Sequence, residues 1–300
     1  MKIESCEFYN AEAKTNVSLN EYIKNNYEQT DLVVKYFNQL KPEKLNNYLQ
    51  AYEKRLSDEI KEFKFNIELF DIKSINPNLT ILNKYPELLK VISSFICKLL
   101  ELPEDLSTAE EKIEIRYFNV RKASCHLSYY RVKAIEDVFG KEEATKLYKK
   151  IVGHLIKEEK ERNPPEIPED PRKLTRIDSR ERILKLYREL GVGDFTMVIY
   201  DDYKEFYKFD RCVVHEVLKD LNDPDIAYLS SCYNRDHPSS NEGHTIIMRK
   251  TKTLHHSDFC DELYWNNVVH PDTDQPSLEF AKRLGKEDPD KLIKEFESMK

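Results

Sequence analysis

A chain of 300 residues exceeds the usual size of one domain, and its make-up of 34% charged and 40% apolar residues is that of a folded protein with a heavily solvated surface. The formal charge is −7, from 55 acidic against 48 basic side chains with no long basic block, which argues against a surface that tracks nucleic-acid phosphates. The longest apolar run, Leu88 to Leu102, is broken by Lys90 and Lys98 and falls short of the ~20 apolar residues that span a bilayer, so no membrane helix is expected.

From Leu19 to about Ile156 apolar residues recur at threes and fours, as in Leu32, Val33, Tyr36, Phe37 and Leu40. This is the stripe of amphipathic helices and predicts a helical N-terminal half. Breaks are expected at Lys41-Pro42, Ile75-Asn76-Pro77-Asn78, Tyr85-Pro86 and Leu102-Pro103, with Pro42 and Pro86 also suited to first helical turns. Ser107-Thr108-Ala109-Glu110-Glu111 offers a helix start, the pattern then runs from Ile113 to Phe139, and Gly140 separates it from a second helix over Lys141 to Ile156.

Four prolines between Asn163 and Pro171 predict an extended connector. The expected organisation is a mainly helical domain over 1–162, a Pro-rich connector over 163–172, and an α+β domain over 173–300. In the last of these, Ser179 to Leu190 reads as a helix closed by Gly191, and Phe195 to Tyr200 and Glu205 to Phe209 read as strands. Arg211 to Leu221 and Asp225 to Cys232 carry helical spacing, the second launched by Asp223-Pro224. Gly243 to Leu254 and Asp258 to Trp265 are β-rich, with Thr245, Ile247, Arg249, Thr251 and Thr253 on one face if extended. The tail from Ser277 reads as a polar terminal helix. The fold class is therefore α+β: helices first, then a small antiparallel sheet packed with helices.

Six of the eight histidines and three of the six cysteines follow residue 200. The cysteines have no small-domain spacing and read as thiols, and the N-terminus Met-Lys-Ile-Glu-Ser-Cys-Glu lacks a signal-like apolar stretch, so a cytoplasmic location is expected. Cys6, Cys97 and Cys125 are assigned to core packing in the helical half. Cys212 and His215 would share a helical face and could begin a zinc site with Cys232, Cys260 and His256. The gaps lack paired ligand spacing, and neither a metal nor a cofactor is expected.

The richest chemical segment is Lys250 to Asp261. A nucleophilic Cys260 needs a neighbouring base or positive group, which His256 or a lysine could supply. In an extended segment His256, Asp258 and Cys260 share one face and Asp261 the other, so His256 partners Cys260 only if the strand is unbroken. The competing explanation is a hairpin with a polar turn, Phe259 in the core and Cys260 inert. Gly191-Val192-Gly193 lacks both the third glycine and the strand-then-helix order of a phosphate loop.

Three pieces, Phe209-Asp210-Arg211-Cys212, Cys232-Tyr233-Asn234-Arg235-Asp236, and Arg249 to Cys260-Asp261 with Thr253-Leu254 before Phe259-Cys260-Asp261, resemble the L-2-amino-thiazoline-4-carboxylic acid hydrolase family. The resemblance covers roughly Ile183 to Tyr264. It implies ring-opening hydrolysis of a cyclic thiazoline amidine to an N-carbamoyl cysteine, with Cys260 as nucleophile, Asp261 as polar partner, and Cys212, Cys232 and Asp236 around the pocket. The chain departs from that pattern at Val213, where a proline is expected, and at Asp261-Glu262-Leu263-Tyr264, which lacks an arginine suited to a substrate carboxylate.

The reading is a hydrolase of a small cyclic amidine or amide-like substrate. Its catalytic candidates are Cys260, Asp261 and His256, with substrate-binding candidates Cys212, Cys232, Asp236, Arg249, Lys252 and Thr253. The alternative is a non-enzymatic small-ligand-binding or sensor module with a Cys-lined pocket whose thiols could also hold a metal. Expected partners are a small molecule and, through the helical half, a second copy in a homo-oligomer; nucleic acid and membrane are not expected.

Overall fold

The computed structural model describes residues 1–61, 63, 78–102, 112–165 and 168–298. The fold is α+β, with helices dominating the N-terminal half and a five-stranded antiparallel sheet built from residues 2–7 and four strands after residue 192. The chain forms two compact units, one of 12–159 and 217–237, the other of 1–11, 160–216 and 238–300. It passes between them several times, whereas composition suggested one crossing at 163–172.

The first unit is helical. Its principal elements are α1 (Leu19–Leu40), α2 (Leu45–Ile60), α3 (Pro86–Leu99), α4 (Tyr117–Phe139) and most of α5 (Lys141–Arg162). Pro86 occupies the first turn of α3, where its missing N–H is not needed. Gly140 ends α4 with φ 75, a conformation costly for residues bearing a Cβ, and lets α5 begin at once. The stripes bury Ile23, Tyr27 and Phe37 from α1, Tyr48, Tyr52 and Leu56 from α2, and Ile92 and Phe95 from α3.

Residues Ile113–Arg116, expected to open a helix, form strand β3 instead and pair antiparallel with β2 (Lys14–Val17). Ile113 and Ile115 alternate with Glu114 and Arg116, a period-2 pattern that competes with the helical one. The expected start at Ser107 to Glu111, and most of the break at Ile75 to Asn78, lie outside the described residues.

The second unit is a sheet in the order β1-β4-β5-β7-β6. Its strands are β1 (Lys2–Glu7), β4 (Gly193–Ile199), β5 (Lys204–Cys212), β6 (Ile246–Arg249) and β7 (Cys260–Asn266). Helix α6 (Ile177–Leu190) covers one face, where Leu184 and Tyr187 pack on Phe195, Met197, Tyr207 and Phe209. Gly191 caps α6 in the left-handed region at φ 63, and a Cβ there would meet Asn10 O at 2.5 Å. Opposite lies a second cluster of Ile3, Val198, Phe206, Leu263 and Trp265.

Helices α10 (Leu278–Arg283) and α11 (Pro289–Ser298) complete that cluster through Phe280, Ala281, Leu284 and Leu292. The tail is thus two amphipathic helices that seal one face of the sheet, not a polar appendage. Strand β1 was hidden by its charged alternation, Lys2, Glu4 and Glu7 around Ile3, which suits an edge strand.

Strand β5 runs on through Cys212, so only Val213–Leu218 (α7) and a 3₁₀ turn to Leu221 are helical in the segment from Arg211 to Leu221. The predicted helix after Asp223-Pro224 is α8 (Pro224–Ser231), capped by the Asp223 side chain on the Ile226 N–H, and α9 (Tyr233–Asp236) follows in the helical unit. Strand β6 is shorter than the β-rich run: on its outer edge the Asn241 amide takes the N–H and C=O of Met248, leaving Thr251 and Thr253 outside the ladder. Among the described residues no helix is long and apolar enough to cross a membrane.

One buried carboxylate ties α1 to the segment leading into α3. Asp31 Oδ1 accepts from the N–H groups of Ile81 (2.9 Å) and Leu82 (2.8 Å), and Oδ2 from the N–H (2.8 Å) and hydroxyl (2.7 Å) of Thr80. Asp31→Ala leaves these donors without an acceptor in a site that is 5% exposed. We expect a loss of about 3 kcal/mol in urea unfolding followed by helical circular dichroism; a loss under about 0.5 kcal/mol would contradict this role.

Candidate functional site

Side chains alternate across a strand, so the pairing of β5 with β7 decides which groups can meet. Phe209 lies opposite Cys260, Tyr207 opposite Glu262 and Glu205 opposite Tyr264. These six share the face beneath α6. Lys208 and Asp261, also opposite one another, point to the other side.

The face beneath α6 carries a shallow hollow, open to solvent, lined by Ile183 and Tyr187 of α6, Tyr207 and Phe209 of β5, and Glu262 and Tyr264 of β7. Cys260 packs on the same aromatic cluster. Along one wall Glu262 accepts from the Tyr264 hydroxyl at 2.7 Å and faces Lys250 Nζ at 3.6 Å, both ends of the ion pair being almost fully buried.

Beyond the pocket sits Glu205, 0% exposed. Its Oε1 accepts from Arg176 Nε (2.8 Å) and Nη2 (2.5 Å) and from the Tyr207 hydroxyl (3.0 Å), and its Oε2 from Arg180 Nη1 (3.2 Å). Burial first, then the Glu205 charge, push the Tyr207 phenol far above its ordinary range. Tyr207 therefore presents a neutral hydroxyl. Arg176 also stacks over the Tyr264 ring at 4.5 Å. These bonds fix the start of α6 over β5 and β7 and thereby hold the pocket's roof.

The predicted residues are distributed as follows. Asp261, 3% exposed, accepts from the N–H (2.6 Å) and hydroxyl (2.5 Å) of Thr251, from Lys252 N (2.8 Å) and from Gln275 Nε2 (3.1 Å). It staples the segment after β6 and stands on the opposite face from Cys260. His256 lies in a turn ahead of β7, so the unbroken strand that its pairing with Cys260 required is not formed; its Nδ1 is 3.5 Å from Thr253 Oγ1. Lys252 meets Asp261 through its backbone, and Arg249 donates to Thr273 O at 3.1 Å while lying over Trp265.

Cys212 ends β5 opposite Gly193 and is not on a helix with His215. Cys232 and Asp236 belong to the helical unit, where Asp236 accepts from the Tyr228 hydroxyl at 2.8 Å. Cys6 is in β1, not in the helical half, whereas Cys97 and Cys125 are buried there, and burial pushes the Cys97 thiol up to about 12. All six cysteines are free thiols. Among the described residues no group of three or more His, Cys, Asp or Glu is placed to hold a metal.

Sequence reasoning passed over the pocket's lining. Tyr207, Glu262 and Tyr264 are signalled only by alternation, which registers a face without saying that a helix leaves part of it open. It also passed over His255, whose ring lies 5.3 Å from that of His215. Comparisons with protein-family models, with characterised proteins and with solved structures return no match.

Burial, followed by the neighbouring His215, His256 and Lys250, lowers the His255 imidazole from 6.5 to about 4. A lowered folded-state value means that the unfolded chain binds more protons between these two pH values, so stability falls as pH drops from 6.5 towards 4. The most this shift can contribute is about 3 kcal/mol. We expect His255→Gln to flatten this limb of the stability profile, read as the difference from wild type in urea midpoints between pH 7 and pH 4. Parallel profiles for the two proteins would exclude His255 as the cause.

Proposed function

We propose that the pocket beneath α6 binds a small planar amidine or amide-like ring and that Cys260 attacks its sp² carbon, making the protein a hydrolase of non-peptide carbon–nitrogen compounds. The observation that carries this reading is that Cys260 and Glu262 lie on one face of β7 beside an aromatic pocket while Asp261 is turned away. The aromatic rings of Tyr187, Tyr207 and Tyr264 suit a flat ligand, and Glu262 can accept from ring or exocyclic N–H groups. The resemblance to the thiazoline hydrolase family adds the substrate type.

In the reaction, the Cys260 thiolate adds to the amidine carbon and the ring sulfur leaves as a thiol, giving an isothiourea ester on Cys260. Water then adds to the same carbon, Cys260 departs, and the urea-type product carries the oxygen. Glu262 is the group on this face able to hold the substrate N–H through both steps. Asp261, with its oxygens engaged by Thr251, Lys252 and Gln275, positions the hairpin and takes no proton.

The second reading, a ligand-binding module without turnover, is favoured by the partners that Glu262 already has in Tyr264 and Lys250. Incubation with 2-aminothiazoline carboxylate and related cyclic amidines, with release of thiol as the signal, separates the two. We expect Cys260→Ala to lower turnover at least about 10³-fold, and Glu262→Gln to raise KM more than it lowers kcat. Undiminished turnover in Cys260→Ala removes the nucleophile. Saturable quenching of tyrosine fluorescence without thiol release assigns the binding module.

A further inference from the structure

Helix α6 covers the aromatic face of the sheet, yet none of its 14 residues is buried. The cover on the opposite face differs: Phe280 and Ala281 of α10, Leu284 just after it and Leu292 of α11 are all buried. Beneath α6 the sheet side chains Phe195, Met197, Tyr207 and Phe209 are buried as well. The helix that keeps them dry offers only the partly buried Leu184 and Tyr187 to the contact, and turns Leu186 outward at 48% exposed. Elements with few fully buried apolar groups are those that open below the cost of global unfolding.

The two ends of α6 are fastened in different ways. At its start the contacts are polar: the Arg176 N–H donates to Asp202 O at 2.7 Å, and the Arg176 and Arg180 guanidinium groups converge on Glu205. Such a buried pair fixes position but adds little net cohesion, because both partners regain water when it parts. At its end Gly191, in the left-handed region, leads through Val192 straight into β4, and the Asn10 N–H reaches Gly191 O at 3.3 Å. Upstream, Asn266 Nδ2 holds Leu174 O at 3.0 Å. Thr175 and Arg176 are left as slack, able to span about 7 Å when extended.

We propose that α6 is a lid over the aromatic face, latched at Glu205, pivoting at Gly191 and opening to admit ligand to the hollow beside Cys260. With the lid down that hollow is shallow, and a ring can lie flat on Tyr207 and Phe209 only once Tyr187 lifts away. Arg176 and Arg180 are then positioning residues, because they act on ligand entry through the placement of α6. The role given to the opening rests on the reading that ligand binds beneath α6, whereas the motion itself is independent of any turnover.

The test uses the full chain and two readouts: amide hydrogen exchange at Ile183 to Tyr187 of α6 against Phe206 and Tyr207 of β5, and peroxide oxidation of Met197, 0% exposed beneath the lid. In the wild type the α6 amides should exchange at least about tenfold faster than those of β5, with a shallower dependence on urea. Glu205→Gln should speed α6 exchange and Met197 oxidation together by about 10²-fold and leave β5 unchanged. Arg180→Met, which keeps the Arg176 pair and is the milder change, should speed both by about tenfold. Equal exchange and equal urea dependence in α6 and β5 would make α6 a fixed part of the sheet unit and overturn the lid. So would variants that accelerate β5 as much as α6, or faster α6 exchange without faster Met197 oxidation, which is fraying that uncovers nothing. A chain that passes these tests but hydrolyses no cyclic amidine keeps the lid and loses only the hydrolase reading.

Discussion

The chemistry of the sheet unit depends on the register of β5 against β7. Because the side-chain period is two, the pairing of Phe209 with Cys260 sends Cys260, Glu262 and Tyr264 towards α6 and Asp261, Leu263 and Trp265 towards α10 and α11. A slip of one residue would bury Glu262 among Phe206, Phe280 and Leu284 and turn Leu263 towards Glu205. The face towards α10 and α11 opposes that slip through the apolar contacts of Leu263 and Trp265 and the four donors on Asp261.

The two units meet the cost of buried charge in different ways. In the sheet unit three strongly buried ions have an opposite partner, while Asp261 is met by N–H and O–H donors alone. Glu205 has Arg176 and Arg180, Glu262 has Lys250, and Lys208, 1% exposed, has Asp210 at 2.6 Å and the Leu284 carbonyl at 2.9 Å. Such pairs add little net stability over apolar replacements, but breaking one leaves an isolated charge. Their effect is therefore positional, and here they set where α6 and the loop after α10 sit on the sheet. In the helical unit Asp31 is neutralised by backbone dipoles instead, and Arg131 has hydroxyl partners alone.

The helical half was legible because its stripes are long and its breakers, Pro86 and Gly140, stand where geometry requires them. The α+β class followed from the β-rich runs after residue 193. What the sequence could not convey were features decided by tertiary pairing. Lys2 to Glu7 has one strongly apolar residue and becomes a strand because β4 offers it an edge. Cys212 looks helical beside Val213 and Val217, yet the ladder with Gly193 keeps it extended. At the site, the weight given to His256 and Asp261 came from their nearness in sequence to Cys260. Space favours Glu262, two positions along the strand, and brings Lys250 to it from beyond the end of β6. Adjacency in a strand separates residues, and only i, i+2 neighbours and cross-strand partners share a face.

The pocket's wall narrows what the proposed chemistry can act upon. Glu262 would attract a cation if it stood alone, but Lys250 at 3.6 Å already balances its charge in a buried setting. A ligand that presents N–H groups to Glu262 therefore has to share it with Lys250 and the Tyr264 hydroxyl.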